Sequence, residues 1–132
     1  MSFEDEFVAK AKEYLEEDKD ANIMNEVNWE IAKYFNNLNK EIGEVKNDSF
    51  SSYGSKHRSY MTIDNREVLF ETRTDGDNCH IEVTQSTDDT TKELDVIYVQ
   101  NGRMYSQEKQ QEFNMDIVRD HLRDTFGDIL GL

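Results

Sequence analysis

Hydrophobic positions in the first third of the chain recur with the 3.6-residue period of an α-helix. A helix start signal at Ser2 is followed by one apolar face, which is formed by Phe7, Val8, Ala11, Tyr14 and Leu15. A longer apolar face between residues 21 and 46 is formed by Met24, Val27, Ile31, Tyr34, Phe35, Leu38, Ile42 and Val45. The pattern predicts two amphipathic helices, each with one side turned towards a hydrophobic partner.

The second predicted helix is longer than a small sheet requires. At 1.5 Å per residue, residues 21–46 span about 39 Å. We therefore expect either that the first helix folds back along the second as a hairpin, or that part of the second helix meets another subunit. Gly43 marks a point where the second helix is expected to bend or end early.

Beyond residue 56 the hydrophobic period changes from 3.6 to 2, which is typical of β-strands. The preceding stretch, residues 47–56, is rich in Ser, Asn and Gly and is predicted to be a loop. Four strands are predicted at residues 57–63, 66–74, 79–86 and 93–100. Asn101-Gly102 is a strong hairpin signal, and it predicts a short fifth strand at residues 103–105.

The turn lengths predict how the strands pair. The two-residue turn after the first strand places Met61 opposite Val68, and the four-residue turn after the second strand places Phe70 opposite Val83. One sheet face then collects the apolar side chains of Met61, Val68, Phe70, Ile81 and Val83, with Cys79 beside them. Because a slip of one residue would scatter this set to both faces, the pattern predicts an antiparallel meander with Cys79 buried.

A third helix is predicted at residues 115–130, with Asn114 as its N-cap. Its inward residues are predicted to be Met115, Val118, Leu122, Phe126 and Ile129. The fold class is therefore α+β: two N-terminal helices, an antiparallel four- to five-stranded meander sheet and one C-terminal helix, with the helices on one face of the sheet. A chain of 132 residues suits a single α+β domain that spans residues 1–132.

Charge and composition narrow the classes of partner. The formal net charge is −14 and no basic run exists, so we expect no direct nucleic acid binding and no binding to an anionic membrane. The first residues lack the basic start and apolar stretch of a signal peptide, and no apolar run approaches the roughly 18 residues that cross a bilayer, so we expect neither a signal peptide nor a membrane span. Its one cysteine excludes a disulfide framework. We expect a cytoplasmic protein, and its acidic surface favours a basic partner.

No combination of residues predicts catalysis, a cofactor or a metal site. His80 and Glu82 form the H-x-E fragment of zinc deaminases, but the chain lacks the later proline and cysteines that those enzymes require. His121 is predicted to lie at the boundary of the core, near Asp124 on the last helix. Neither histidine has a second catalytic group placed near it by sequence, so no catalytic residue, cofactor or metal ligand is assigned.

Trp29 is the candidate partner contact. It lies on the side of the second predicted helix opposite the apolar stripe, among polar residues. One interpretation is structural, with the first helix or a chain terminus covering the indole. The functional interpretation is an interface anchor, because tryptophan is enriched at the energetic centres of protein interfaces.

The predicted sheet face opposite the apolar set is a second candidate site. In an otherwise acidic protein it concentrates the positive and aromatic side chains of Arg58, Tyr60, Arg73 and His80. These side chains suit an anion, but Glu71 and Glu82 on the same face are expected to neutralise them. The alternative interpretation is a solvated polar face.

Two segments carry a resemblance to a known family. Residues 99–130, especially Asn101-Gly102, Glu112-Phe113-Asn114 and residues 122–127, resemble the C-terminal part of a family of small uncharacterised proteins from spore-forming Gram-positive bacteria. Residues 3–15 are similar as well. The resemblance implies a bacterial cytosolic protein, and it assigns no functional residue.

The leading functional hypothesis is a non-enzymatic, acidic protein-interaction module that forms a homodimer or binds a basic protein partner. It rests on the acidic surface, the long second helix and Trp29. One alternative is a small apolar-ligand carrier with a pocket between sheet and helices. Another is a nucleic-acid charge mimic that inhibits a DNA-binding protein. An enzyme is the least favoured class.

Overall fold

The computed structural model describes residues 2–16, 19–75 and 78–132. Within these ranges the chain forms two N-terminal helices, an antiparallel sheet and a C-terminal helix, which confirms the predicted α+β class. The elements are α1 Phe3–Glu16, α2 Lys19–Ile42, β1 Phe50–Gly54, β2 Arg58–Ile63, β3 Arg66–Asp75, β4 Asn78–Thr87, β5 Thr90–Gln100, β6 Arg103–Ser106, β7 Gln111–Glu112 and α3 Met115–Leu130.

The strands form one antiparallel meander in which each strand pairs with the next along the chain. The predicted register is confirmed: Met61 lies opposite Val68, and Phe70 lies opposite Val83. The apolar set on this face is buried. The turn predicted between β3 and β4 contains residues 76 and 77, which lie outside the described residues.

The sheet has seven strands rather than the predicted four or five, because strands also form at β1 and β7. Residues 47–56 were expected to be a loop, yet β1 lies within them. The buried residues of β1 are Ser52 and Gly54, which are too small or too polar to produce an apolar alternation, and Phe50 on the same side is half-buried. The small size of Ser52 and Gly54 permits close contact with α2: a Cβ atom on Gly54 would lie 2.4 Å from the Ala32 carbonyl oxygen.

Helices α2 and α3 cover the same face of the sheet. Their core residues include Ile31 and Phe35 from α2 and Val118 and Phe126 from α3. Helix α2 ends at Ile42, earlier than predicted and immediately before Gly43. No helix in the described part of the chain is long and apolar enough to cross a membrane.

The ends of α3 follow the sequence closely. Asn114 is the N-cap, as predicted, and its side chain accepts a hydrogen bond from the Asp116 backbone N–H. Gly131 adopts a left-handed conformation with φ 73° just past the last turn. Near this end the Arg66 side chain of β3 forms an ion pair with Asp128 and ties the helix to the sheet. Ile129, which was predicted to face inward, is exposed.

The buried position predicted for Cys79 is wrong, since its thiol is exposed. Cys79 pairs with Thr74 at the far end of the β3–β4 hairpin, and Thr74 is exposed as well. The sheet face at this end is open to solvent. The side chain of Cys79 therefore points to the same face as Ile81 and Val83 but is not buried there.

Candidate functional site

The apolar side of α1 is the largest departure from an ordinary buried helix face. Its large side chains are between 49% and 75% exposed; we call the set of Phe3, Phe7, Val8, Tyr14 and Leu15 the α1 apolar face. The rings of Phe3 and Phe7 lie 5.7 Å apart, so the first two turns present a continuous aromatic surface. The first of the two alternatives, a hairpin in which α1 would bury this face along α2, is not formed by the described residues.

Trp29 of α2 is 55% exposed. It lies outside the buried stripe of α2, which contains Met24, Ile31 and Phe35, as its sequence position predicts. The indole is therefore available to a second molecule in this structure. Its role as a partner contact stays a prediction.

A groove separates α2 from α3 on the helical side of the sheet. Its volume is about 270 Å³, and we call it the α2–α3 groove. Its floor and walls are mainly apolar and include Tyr34, Leu38, Ile63, Leu122, Phe126 and Leu130. Two arginines, Arg119 and Arg123, also line it. No acidic side chain and no α1 residue is found among the described residues that line the groove.

The two arginines of the groove are only partly neutralised. Arg119 forms an ion pair with Asp116 at 2.7 Å, and Arg123 forms one with Asp120 at 3.2 Å. Both arginine side chains remain more than half exposed. Because a guanidinium carries five N–H donors, each arginine keeps donors available for a further acidic group.

The predicted polar sheet face is assembled by the fold. Arg58 lies 5.9 Å from the ring of Tyr60, and Arg73 lies opposite His80 in the sheet register. Glu71 bonds to Arg73 at 2.7 Å and lies 3.8 Å from Arg58, while Glu82 lies 3.9 Å from Arg73. The two arginines therefore already have carboxylate partners, which weakens this face as an anion site.

A buried polar network at the other end of the core centres on Asp95 of β5. Its Oδ2 atom accepts hydrogen bonds from the Ser106 hydroxyl at 2.5 Å and from Nε2 of His121 at 3.0 Å. Its Oδ1 atom accepts from the backbone N–H groups of Val96 and Glu108. Asp95, Ser106 and His121 are all almost fully buried.

These hydrogen bonds keep Asp95 ionised. Burial raises the pKa of a carboxyl group, but the hydrogen bonds that Asp95 receives from His121, Ser106 and the backbone outweigh this effect and lower its pKa. An ionised Asp95 requires His121 to donate through Nε2. The Nδ1 atom of His121 is buried and has no hydrogen-bond partner in the described part of the chain.

The network contains the residue types of a Ser-His-Asp triad in a different arrangement. In a catalytic triad the histidine bonds to the serine and activates it. Here the Ser106 hydroxyl and His121 both donate to Asp95, and all three groups are shielded from solvent. The arrangement joins β5, β6 and α3 to one another.

Sequence reasoning missed this network and misplaced His121. His121 is buried and bonds to Asp95, rather than lying at the core boundary near Asp124. A signal was present: Asp95 shares the inward parity of Ile97 in an apolar strand. The irregular β4–β5 pairing, in which Val83 faces Asp95 and Thr84 faces Glu93, could not be read from alternation alone.

Metal binding finds no support in the side-chain arrangement. Within residues 2–16, 19–75 and 78–132, no group of three or more His, Cys, Asp or Glu side chains is arranged to hold a metal ion. The most distinctive surfaces of the described residues are the α1 apolar face, Trp29 and the α2–α3 groove.

Comparison with known proteins places the chain in a family. Neither the curated proteins nor the solved structures contain a match to it. A family model described as "Protein of unknown function (DUF3942)" matches residues 4–130. The resemblance to an uncharacterised family is thereby confirmed, while the restriction to spore-forming bacteria stays a prediction. The chain belongs to the DUF3942 family of proteins of unknown function.

Proposed function

We propose that the protein is a non-enzymatic, acidic protein-interaction module of the cytoplasm, and that it binds its partner through the α1 apolar face. The observation that carries this proposal is the exposure of all five large side chains of that face. An amphipathic helix ordinarily buries its apolar stripe against a neighbour. In this chain the neighbour is supplied by another molecule.

The energetics of α1 support the same conclusion. The helix has 14 residues, and isolated helices of that length are marginal in water. Its acidic first turn suits the positive end of the helix dipole, but its last turn contains no basic residue. Burial of the aromatic surface against a partner would therefore stabilise α1 as well as hold the complex together.

The test compares three tagged forms of the full chain in nuclease-treated lysate at physiological salt. The wild type and Ala9→Glu, which places a charge on the opposite side of α1, should capture the same stoichiometric protein. Phe7→Glu places an equal charge within the apolar face and should lose it. Mass spectrometry reads the captured proteins. Equal capture by all three forms, or capture by none together with a monomeric chain, contradicts the proposal.

A second candidate function, a carrier of a small apolar ligand, is favoured by the α2–α3 groove. The groove is apolar and lies between helices on the sheet, but its 270 Å³ falls just below the roughly 300–1,000 Å³ of typical ligand pockets. Native mass spectrometry of the purified chain tests this function. A constant 1:1 adduct that disappears in Leu122→Glu would support a carrier, whereas a bare chain would rule it out.

A further inference from the structure

We infer that the α1 apolar face of one copy occupies the α2–α3 groove of a second copy, so that two chains exchange their N-terminal helices. The inference rests on the proposed function and identifies the partner of the α1 apolar face as a second copy of the chain. It follows from three properties of the described residues: the shape of the groove, the charges beside it and the distance between the groove and the chain's own α1.

The first property is shape. An apolar helix face that lies in a hydrophobic groove uses anchors at i, i+3, i+4 and i+7. Phe3, Phe7 and Ala11 recur at intervals of four residues along α1, with Tyr14 one turn further. The groove volume of about 270 Å³ suits a few inserted side chains better than a complete drug-sized ligand.

The second property is charge. The first turn of α1 carries Glu4, Asp5 and Glu6 next to the aromatic anchors. The groove is lined by Arg119 and Arg123, which retain unused donors, and by no acidic residue among those described. When Phe3 and Phe7 enter the groove, the acidic first turn meets these arginines, and charge-assisted hydrogen bonds set the direction of the helix.

The third property is reach. Helix α1 joins the chain just before Lys19, and its 14 residues span about 21 Å. The α2 side of the groove runs from Tyr34 through Leu38 to Ile42, which lie about 22, 28 and 35 Å from Lys19 along the helix axis. A chain's own α1, folded back as a hairpin, would end near Tyr34, short of Leu38 and Ile42. The helix of a second copy is not restricted in this way.

Exchange of α1 gives a closed dimer, because each copy supplies one helix and one groove and the two contacts are equivalent. The net charge of −14 on each copy opposes this association. Salt at physiological concentration screens charges that lie more than about 8 Å apart, so the opposition is weakened while the close contacts persist. The dimer is therefore expected at physiological salt and to weaken at low salt.

The first experiment is sedimentation equilibrium of the purified full chain and four variants at about 1–100 µM, a range that spans a micromolar Kd. Phe7→Glu and Leu130→Glu place a charge in the α1 apolar face and in the groove. Each should raise the dimer Kd by at least about 30-fold. The matched controls are Ala9→Glu on the other side of α1 and Ile129→Glu, which adjoins Leu130 but does not line the groove. Both should dimerise as the wild type does.

All altered side chains in these variants are exposed or lie on an exposed helix, so folding should be preserved. Thermal unfolding followed by circular dichroism verifies this for each variant. If Leu130→Glu is destabilised, the charge-reversal variant Arg123→Glu replaces it, because Arg123 lines the same groove and is exposed.

The second experiment places the helix in the groove by cross-linking. The exposed Cys79 is first replaced by serine in all chains. Chains carrying Phe3→Cys are then mixed with chains carrying Leu38→Cys and oxidised mildly. A disulfide-linked 3–38 dimer should form in the mixture. Replacing Leu38→Cys by Thr91→Cys, which is exposed on β5 and does not line the groove, should abolish the cross-link.

The outcomes separate this inference from the proposed function. Dimers that depend on Phe7 and Leu130, together with the 3–38 cross-link, support the exchange. A monomer over the whole concentration range overturns it; if that monomer still captures a protein through Phe7, the proposed function stands with a different partner. A monomer with no capture overturns both. A dimer insensitive to Leu130→Glu overturns the groove assignment alone.

Discussion

Helices α1 and α3 have similar patterns and opposite environments. They contain 14 and 16 residues, and each has an apolar stripe with helical period. Helix α3 buries Ile117, Val118 and Phe126 against the sheet, whereas α1 exposes every large apolar side chain. The comparison teaches that hydrophobic periodicity predicts the need for a packing partner but does not predict whether that partner belongs to the same chain.

The two helices also differ in their polar contacts. Helix α3 is joined to the sheet by the His121–Asp95 hydrogen bond inside the core and by the Arg66–Asp128 ion pair at its end. Helix α1 has a local hydrogen bond at its start, where the Ser2 hydroxyl accepts from the Asp5 N–H. Near its end, the Asn22 side chain of α2 donates to the Leu15 carbonyl oxygen. Polar contacts thus position α3 on the sheet and only cap α1.

The largest expected effect comes from truncating one phenylalanine in each helix. Phe126→Ala in α3 should lower the free energy of unfolding by about 3–5 kcal/mol, because it leaves a cavity in a packed core. Phe7→Ala in α1 should change it by less than about 0.5 kcal/mol in the monomer, since the ring is already exposed. Urea unfolding at low protein concentration measures both, and similar losses would contradict the contrast.

The next effect tests the polar network that anchors α3. Asp95→Asn keeps the shape of the side chain but removes its charge. It also replaces one acceptor oxygen by an amide N–H₂ group, which would face hydrogen-bond donors such as Ser106 and His121. We expect a loss of about 1–3 kcal/mol in the free energy of unfolding. The control is Asp124→Asn, at an exposed position of α3, and it should be nearly neutral.

The pH dependence of the same residue gives a smaller and more specific effect. The pKa of Asp95 is lowered in the folded protein from its ordinary value of 3.8, so the unfolded chain takes up a proton first as the pH falls. The stability supplied by Asp95 is therefore complete above pH 3.8 and is lost as the pH falls through the lowered pKa. The difference in unfolding free energy between wild type and Asp95→Asn should narrow below pH 3.8. A difference independent of pH would show that charge is irrelevant there.

The smallest effect on stability concerns Trp29. Because the indole is 55% exposed, Trp29→Ala should leave the melting temperature nearly unchanged. If Trp29 contacts a partner, the same variant should weaken capture or self-association. Calorimetry and the capture assay test the two halves separately. A large loss of thermal stability would show that Trp29 belongs to the folded core.

How much the sequence predicts varies with the kind of feature. The pairing of Met61 with Val68 was predictable because the turn length and the apolar face agree on one register. Strand β1 was not, because its two buried residues are Ser52 and Gly54. Asp95 left a detectable signal, a charged residue at an inward position of an apolar strand.

The environment of the candidate site was the least predictable part. Trp29 could be singled out from its position on α2. The exposure of the α1 apolar face could not be predicted, because it depends on tertiary packing and hydrophobic periodicity carries no information about that packing. The groove likewise joins side chains from α2, β2 and α3 that are distant in sequence, such as Leu38, Ile63 and Phe126. Neither feature has a local sequence signature.

The most direct test of the central claim is sedimentation velocity of the fluorescently tagged chain in nuclease-treated lysate. It detects a second copy and any other partner in one measurement. If another molecule covers the α1 apolar face, the wild type and Ala9→Glu should sediment faster than the tagged monomer, to which the chain contributes 15.5 kDa, and Phe7→Glu should sediment as that monomer. Sedimentation of all three forms as monomers would contradict the account.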